Sequence, residues 1–174
     1  MKAHTLIAYL LAAAFVLLPS ISHAAGQPAW AIPYAEADAP YFVRLDAVGD
    51  VIVVGRHYHE APEDAQIFVQ KFDPDSTLIW GNQTTGPALK IPIAAALDQA
   101  GNVYVLAQYD PSTTSPVVVY KFRAADGGVD WDEPFYPAGL FRQTAARDLF
   151  VTPDGHAIVI ANFVIDDPAH PLRS

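Results

Sequence analysis

The 174-residue chain contains no cysteine. That excludes a disulfide scaffold, a thiol nucleophile, cysteine metal ligands and a lipidated N-terminal cysteine, so the fold must be held by its own core. Positive charge is also scarce, with 10 Lys and Arg against 19 Asp and Glu and a formal net charge of −9. Nucleic acid and anionic lipid are poor partners for such a surface, because both are held by basic side chains that neutralise phosphates. The longest unbroken apolar run, Leu6 to Leu18, spans 13 residues, short of the roughly 20 that cross a bilayer core. There is no Gly-x-Ser-x-Gly, no phosphate-cradling glycine loop and no Asp-x-Asp-x-Asp-Gly calcium loop.

The short apolar run follows Lys2 and leads to Pro19, Ser20 and a Ser22-His23-Ala24 step. A charged start, an apolar centre and a small-x-small step make a cleavable signal peptide, with a buried core helix as the alternative. Residues 1–24 are therefore expected to be removed between Ala24 and Ala25, leaving a secreted or periplasmic protein of residues 25–174. The mature chain keeps 9 basic and 19 acidic residues, a formal charge of −10. About 150 residues suffice for one domain-sized core.

The mature chain repeats itself. Asp46-Ala47-Val48-Gly49-Asp50-Val51-Ile52-Val53-Val54-Gly55 returns as Asp98-Gln99-Ala100-Gly101-Asn102-Val103-Tyr104-Val105-Leu106-Ala107. A third copy runs Thr152-Pro153-Asp154-Gly155-His156-Ala157-Ile158-Val159-Ile160-Ala161. In step with these, Ile67-Phe68-Val69-Gln70-Lys71-Phe72 matches Val117-Val118-Val119-Tyr120-Lys121-Phe122, and Trp30, Trp80 and Trp131 recur at the same period. Three markers sharing one period near 50 residues divide the chain into units of about 30–79, 80–130 and a partial 131–174.

Each unit reads as short strands, since runs of Val, Ile, Tyr and Phe alternate with Gly, Asp, Asn and Pro. In the second unit the strands fall near Ile91–Leu97, Val103–Tyr109, Pro116–Arg123 and Val129–Asp132. Gly49, Gly101 and Gly155 stand where a tight hairpin needs a left-handed residue. The second strand is apolar on both faces in every copy, so its sheet must be covered on both sides. The pattern predicts an all-β fold of propeller-type, four-stranded antiparallel blades, about two and a half of them in an incomplete ring.

Asp98 to Val105 and Val119 to Trp131 carry a further likeness: a D-x-x-G-N-V-Y-V strand followed by a V-x-K-F turn and a Trp strand. The units resemble the β-propeller repeats of exported bacterial proteins, and are similar to those of pyrroloquinoline-quinone-type propellers and outer-membrane assembly lipoproteins. The likeness covers residues 30–163. It implies the fold; such propellers host many unrelated activities. The third unit ends after its second strand, which predicts a reading frame cut short at its C-terminus, with ring closure by self-association as the alternative.

The short connections 46–50, 73–76, 98–102 and 123–128 fall on one rim, and the long ones 57–66, 82–90, 109–116 and 133–143 on the other. Long loops on one rim are where binding residues gather, which nominates His57, His59, Glu60, Tyr109, Asp110 and Glu133 as ligand-binding candidates. His57 and His59 fall on one side if the strand continues, but a metal needs a third ligand that no residue spacing supplies, so neither a metal nor a cofactor is expected. Trp80 and Trp131 are expected in equivalent, largely shielded sites at the ends of the fourth strands, packing blades together. The expected function is a noncatalytic exported binding or scaffolding module with an unidentified ligand or protein partner. The rival is the N-terminal part of a propeller enzyme of the quinoprotein type, against which no repeated cluster of acids with Arg or Lys is present.

Overall fold

The computed structural model describes residues 31, 38–58, 65–85, 90–109, 117–135 and 141–165, the side chains of 135, 141–144 and 163–165 excepted. Among them are ten strands and no helix. The first blade is β1 (Asp38–Leu45), β2 (Val51–Tyr58), β3 (Ala65–Phe72) and β4 (Leu78–Gln83), antiparallel and in sequence order. The second repeats it with β5 (Lys90–Leu97), β6 (Val103–Tyr109), β7 (Val117–Phe122) and β8 (Val129–Phe135). The third unit contributes β9 (Phe141–Val151) and β10 (Ala157–Ile165) as a two-stranded half-blade. The expected fold class is the observed one, two and a half propeller-type blades.

The repeat is exact at the level of register. Val51 pairs with Phe72, and Val103 with Phe122. Lys71 lies opposite Trp80 and Lys121 opposite Trp131, each followed by a register shift. A bulge recurs in every first strand, at Pro40/Phe42, at Pro92/Ala94, and opposite Ile160/Ala161 in β9. An extra residue at one place in each unit bends the strand and increases its twist.

Each first hairpin turns on its glycine: φ is +92° at Gly49, +82° at Gly101 and +85° at Gly155, a region L-residues avoid. The residue three places earlier caps the turn. Asp46 Oδ1 accepts from Val48 N at 3.0 Å and Asp50 N at 2.9 Å, and Asp98 Oδ1 accepts from Ala100 N and Asn102 N at 3.0 and 2.9 Å. In the third copy a hydroxyl replaces the carboxylate, with Thr152 Oγ1 accepting from His156 N at 2.9 Å.

Partial burial works against both charged carboxylates, yet both are held below the usual aspartate value. For Asp46 the hydrogen bonds from Lys71 and from the backbone outweigh burial; for Asp98 those from Asn102, Tyr104 and the backbone do. A lowered folded value makes the ionised form the stabilising one. Stability is therefore present above the ordinary aspartate value of 3.8 and is lost as pH falls through the lowered values. Thermal melting between pH 7 and pH 2 is expected to show this acid limb, and Asp98→Asn to flatten it.

Two apolar layers fill the spaces between units. Between blades one and two, Ile52, Val54, Ile67, Val69 and Trp80 meet Ala95, Val103, Val105, Ala107, Val118, Tyr120 and Phe122. Between blade two and the half-blade, Tyr104, Leu106, Val117 and Val119 meet Ala146, Leu149 and Val151. The β6 strand thus sends Val103, Val105 and Ala107 one way and Tyr104 and Leu106 the other, the reason it is apolar on both faces.

Gly127 brings its backbone close against blade one. Its φ is +68°, and a Cβ built there overlaps the Trp80 ring. Gly127→Ala combines a left-handed backbone with overpacking against a buried indole, and is expected to cost about 2 kcal/mol. Urea unfolding of the variant beside the parent measures it.

Candidate functional site

The two tryptophans are equivalent in register but not in surroundings. Each is the third residue of its strand, not its end. Trp80 is buried, at 8% exposure. Its Nε1 donates to Ala124 O at 2.9 Å, and Asn82 Nδ2, one ladder step further, donates to Gly127 O at 2.9 Å. The β7–β8 turn, residues 123–128, therefore sits directly on β4.

Trp131 is partly buried and less covered than Trp80. It packs edge-on against Tyr104, ring centroids 5.9 Å apart and planes at 72°. The single Tyr104 hydroxyl proton is shared between Asp98 Oδ2 at 3.2 Å and Gly155 O at 3.1 Å, which ties blade two to the first turn of the half-blade. Among the described residues, no carbonyl accepts from the Trp131 indole and no hairpin turn covers it. A turn lies on Trp80 because blade two has third and fourth strands, whereas the third unit shows two strands among the described residues.

A groove of about 630 Å³ opens at that place, walled on one side by Val119, Trp131 and Glu133 and on the other by His156 and the β10 edge from Ala157 to Ala161. Within β10, Ala157, Val159 and Ala161 are half-buried and turn toward blade two, while Ile158 and Ile160 are 51% and 57% exposed, Ile160 also bordering the groove. Glu133 lies within β8, opposite Val119, and not in a loop as expected, because β8 extends through Phe135.

The other rim candidates lie elsewhere. His57 is in β2 and Tyr109 ends β6 at the equivalent position, opposite Asp38 and Lys90 respectively. The His57 Nδ1 lies 2.5 Å from Asp38 Oδ1, an imidazole–carboxylate pair whose acid the sequence did not single out. Tyr109 faces the Tyr120 hydroxyl at 3.4 Å and lines a separate cleft with Asn82, Thr84 and Asp132. Burial pushes the Tyr120 hydroxyl well above its ordinary value, so it stays neutral. His59, Glu60, Asp110 and Trp30 fall outside the described residues. Among the described residues no three His, Asp or Glu side chains gather as metal ligands, and no helix is long and apolar enough to cross a membrane.

No family profile matches the chain, and no curated protein matches it. The groove's lining residues Val119, Val159 and His156 were not foreseen as a site. The contrast that marks the place lies at the aligned tryptophans: Trp80 is buried, whereas Trp131 is only partly buried.

A cleft of about 390 Å³ separates the first turns of the two blades, lined by Asp46, Val48, Lys71, Leu97, Asp98 and Ala124. Lys71 Nζ bridges Asp46 at 2.8 Å and Asp50 at 3.0 Å, so the charges of this cleft are already satisfied within the turn.

Proposed function

We propose that the protein is an exported, noncatalytic β-propeller repeat module that binds or scaffolds another protein, and that the groove between β8 and β10 is its binding surface. The observation that carries this reading is the groove's composition: an aliphatic and aromatic wall, one carboxylate, and along one side the edge of β10, which has no strand beside it among the described residues. A strand edge with free N–H and C=O groups recognises extended polypeptide, with main-chain hydrogen bonds supplying affinity and side-chain pockets specificity. The acidic chain favours a partner of neutral or basic character.

Export rests on the tripartite N-terminal pattern. N-terminal sequencing of the protein recovered from periplasm or medium is expected to begin at Ala25, and an intact Lys2 on a cytosolic product would refute export. For binding, the mature protein immobilised at the N-terminus is expected to retain a protein partner from the same extracellular fraction. A Val159→Asp variant, which places a charge on the groove wall, is expected to lose it. Retention unaffected by Val159→Asp would move the binding surface elsewhere. Pyrroloquinoline quinone is expected to leave tryptophan fluorescence unchanged, and a saturable quench by it would favour the quinoprotein alternative.

A further inference from the structure

The blade-one to blade-two interface shows in detail what fits beside Trp131. Every wall residue of the groove has a counterpart there: Val119 stands as Val69, Trp131 as Trp80, and Ala157, Val159 and Ala161 as Val103, Val105 and Ala107. In the completed interface Val103 pairs with Phe122 and Val105 with Tyr120, and Ala107 pairs with Val118. Those three β7 side chains fill the layer against Ile67, Val69 and Trp80, and the 123–128 turn closes over the indole.

One counterpart differs. Where Asn82 donates an amide to Gly127 O, the groove has Glu133. An ionised carboxylate only accepts, so a bare carbonyl presented there is repelled and a donor is drawn in.

Resting on the binding reading above, we infer that the groove's occupant is a two-stranded β-hairpin of the β7–β8 kind. Its first strand adds antiparallel to β10 with apolar side chains at alternate positions. Its turn seats a carbonyl on the Trp131 indole N–H and a basic side chain on Glu133. A second copy of the chain pairing β10 to β10 and a small apolar ligand are the competing occupants. The continuous register from the completed interface favours the hairpin over both.

The probe is a synthetic peptide of residues 117–135, the chain's own β7–β8 hairpin, mixed with the full mature protein and followed by calorimetry and tryptophan emission. One-to-one binding with a blue shift is expected. A peptide carrying Tyr120→Asp and Phe122→Asp is expected not to bind, since both side chains enter the layer. Trp131→Phe in the protein, which keeps the ring packing but removes the N–H donor, is expected to weaken binding about tenfold, or ~1.4 kcal/mol. The decisive comparison pairs Glu133 with the peptide turn. An Asp126→Lys peptide is expected to bind the parent protein about tenfold tighter than the unaltered peptide, and Glu133→Asn to abolish that preference while tightening the unaltered peptide.

Circular dichroism of Glu133→Asn, expected to match the parent, separates this from misfolding. Absence of peptide binding, an Asp126→Lys preference that persists in Glu133→Asn, or a discrete β10-to-β10 dimer that excludes the peptide would overturn the inference. If the peptide fails while a protein partner is still retained in a Val159-dependent manner, the binding reading stands and the hairpin alone is wrong.

Discussion

Trp80→Ala is expected to destabilise the protein by about 3–5 kcal/mol, the range for removing a buried aromatic from a packed core, while Trp131→Ala is expected to cost less than half as much. The two residues share a register, a strand position and a preceding Lys-Phe pair, so sequence alone makes them equal. Their surroundings do not. Trp80 is 8% exposed, sits in the layer joining both complete blades, and gives its indole N–H to Ala124 O. Deleting it leaves a cavity walled by Gly127, Phe122 and Val69, strands that cannot collapse without breaking the β7–β8 turn. It also strands the Ala124 carbonyl. Trp131 is open on one side, and truncating it widens a groove that water already enters, so the cavity penalty is small. Equilibrium urea unfolding of both variants checks the ordering. Equal losses would mean that Trp131 is covered as fully as Trp80.

The period near 50 residues, the glycine at each first turn and the double-faced apolarity of Val103 to Leu106 were sufficient to place strands and blades, because each reflects a local requirement. Gly101 answers a backbone dihedral, and alternating Tyr104 and Val105 answer two different neighbours. The groove was less legible. Its walls are made by Val119 and Val159, side chains that look like ordinary core, and only the missing cover distinguishes them. The loop-rim candidates followed the opposite logic, that chemistry sits where chain is long and polar. Glu133 reads as the start of a long connection because the fourth strand is expected to end at Asp132, yet Pro134 lies in β8, pairing with Val118 in the outermost strand of its sheet, where a proline's missing donor is tolerated. The His57–Asp38 pair could not be foreseen from spacing, since the cross-strand register brings together residues 19 apart.

The largest change in solution behaviour is expected at β10. Its outer edge has no strand beside it among the described residues, and its far face exposes Ile158 and Ile160 beside Phe150, itself 60% exposed. The segment Ala157-Ile158-Val159-Ile160-Ala161 is uncharged and strongly β-prone, and no proline or inward charge blunts it, the usual protections of a free edge. The mature chain purified alone is therefore expected to scatter light as oligomers that grow with concentration. Ile158→Lys with Ile160→Lys is expected to slow that growth at least tenfold at equal concentration. Both side chains are more than half exposed and point away from the layer around Tyr104 and Leu106, so the double variant is expected to melt within a few degrees of the parent. An extension carrying a β7–β8-type hairpin after β10 acts on the edge and not on the exposed face, and is expected to yield a monomer without either lysine. If the unmodified chain instead stays monomeric across the range and unfolds cooperatively, the β10 edge is protected by residues outside those described, and the groove is closed in the protein as it exists in solution.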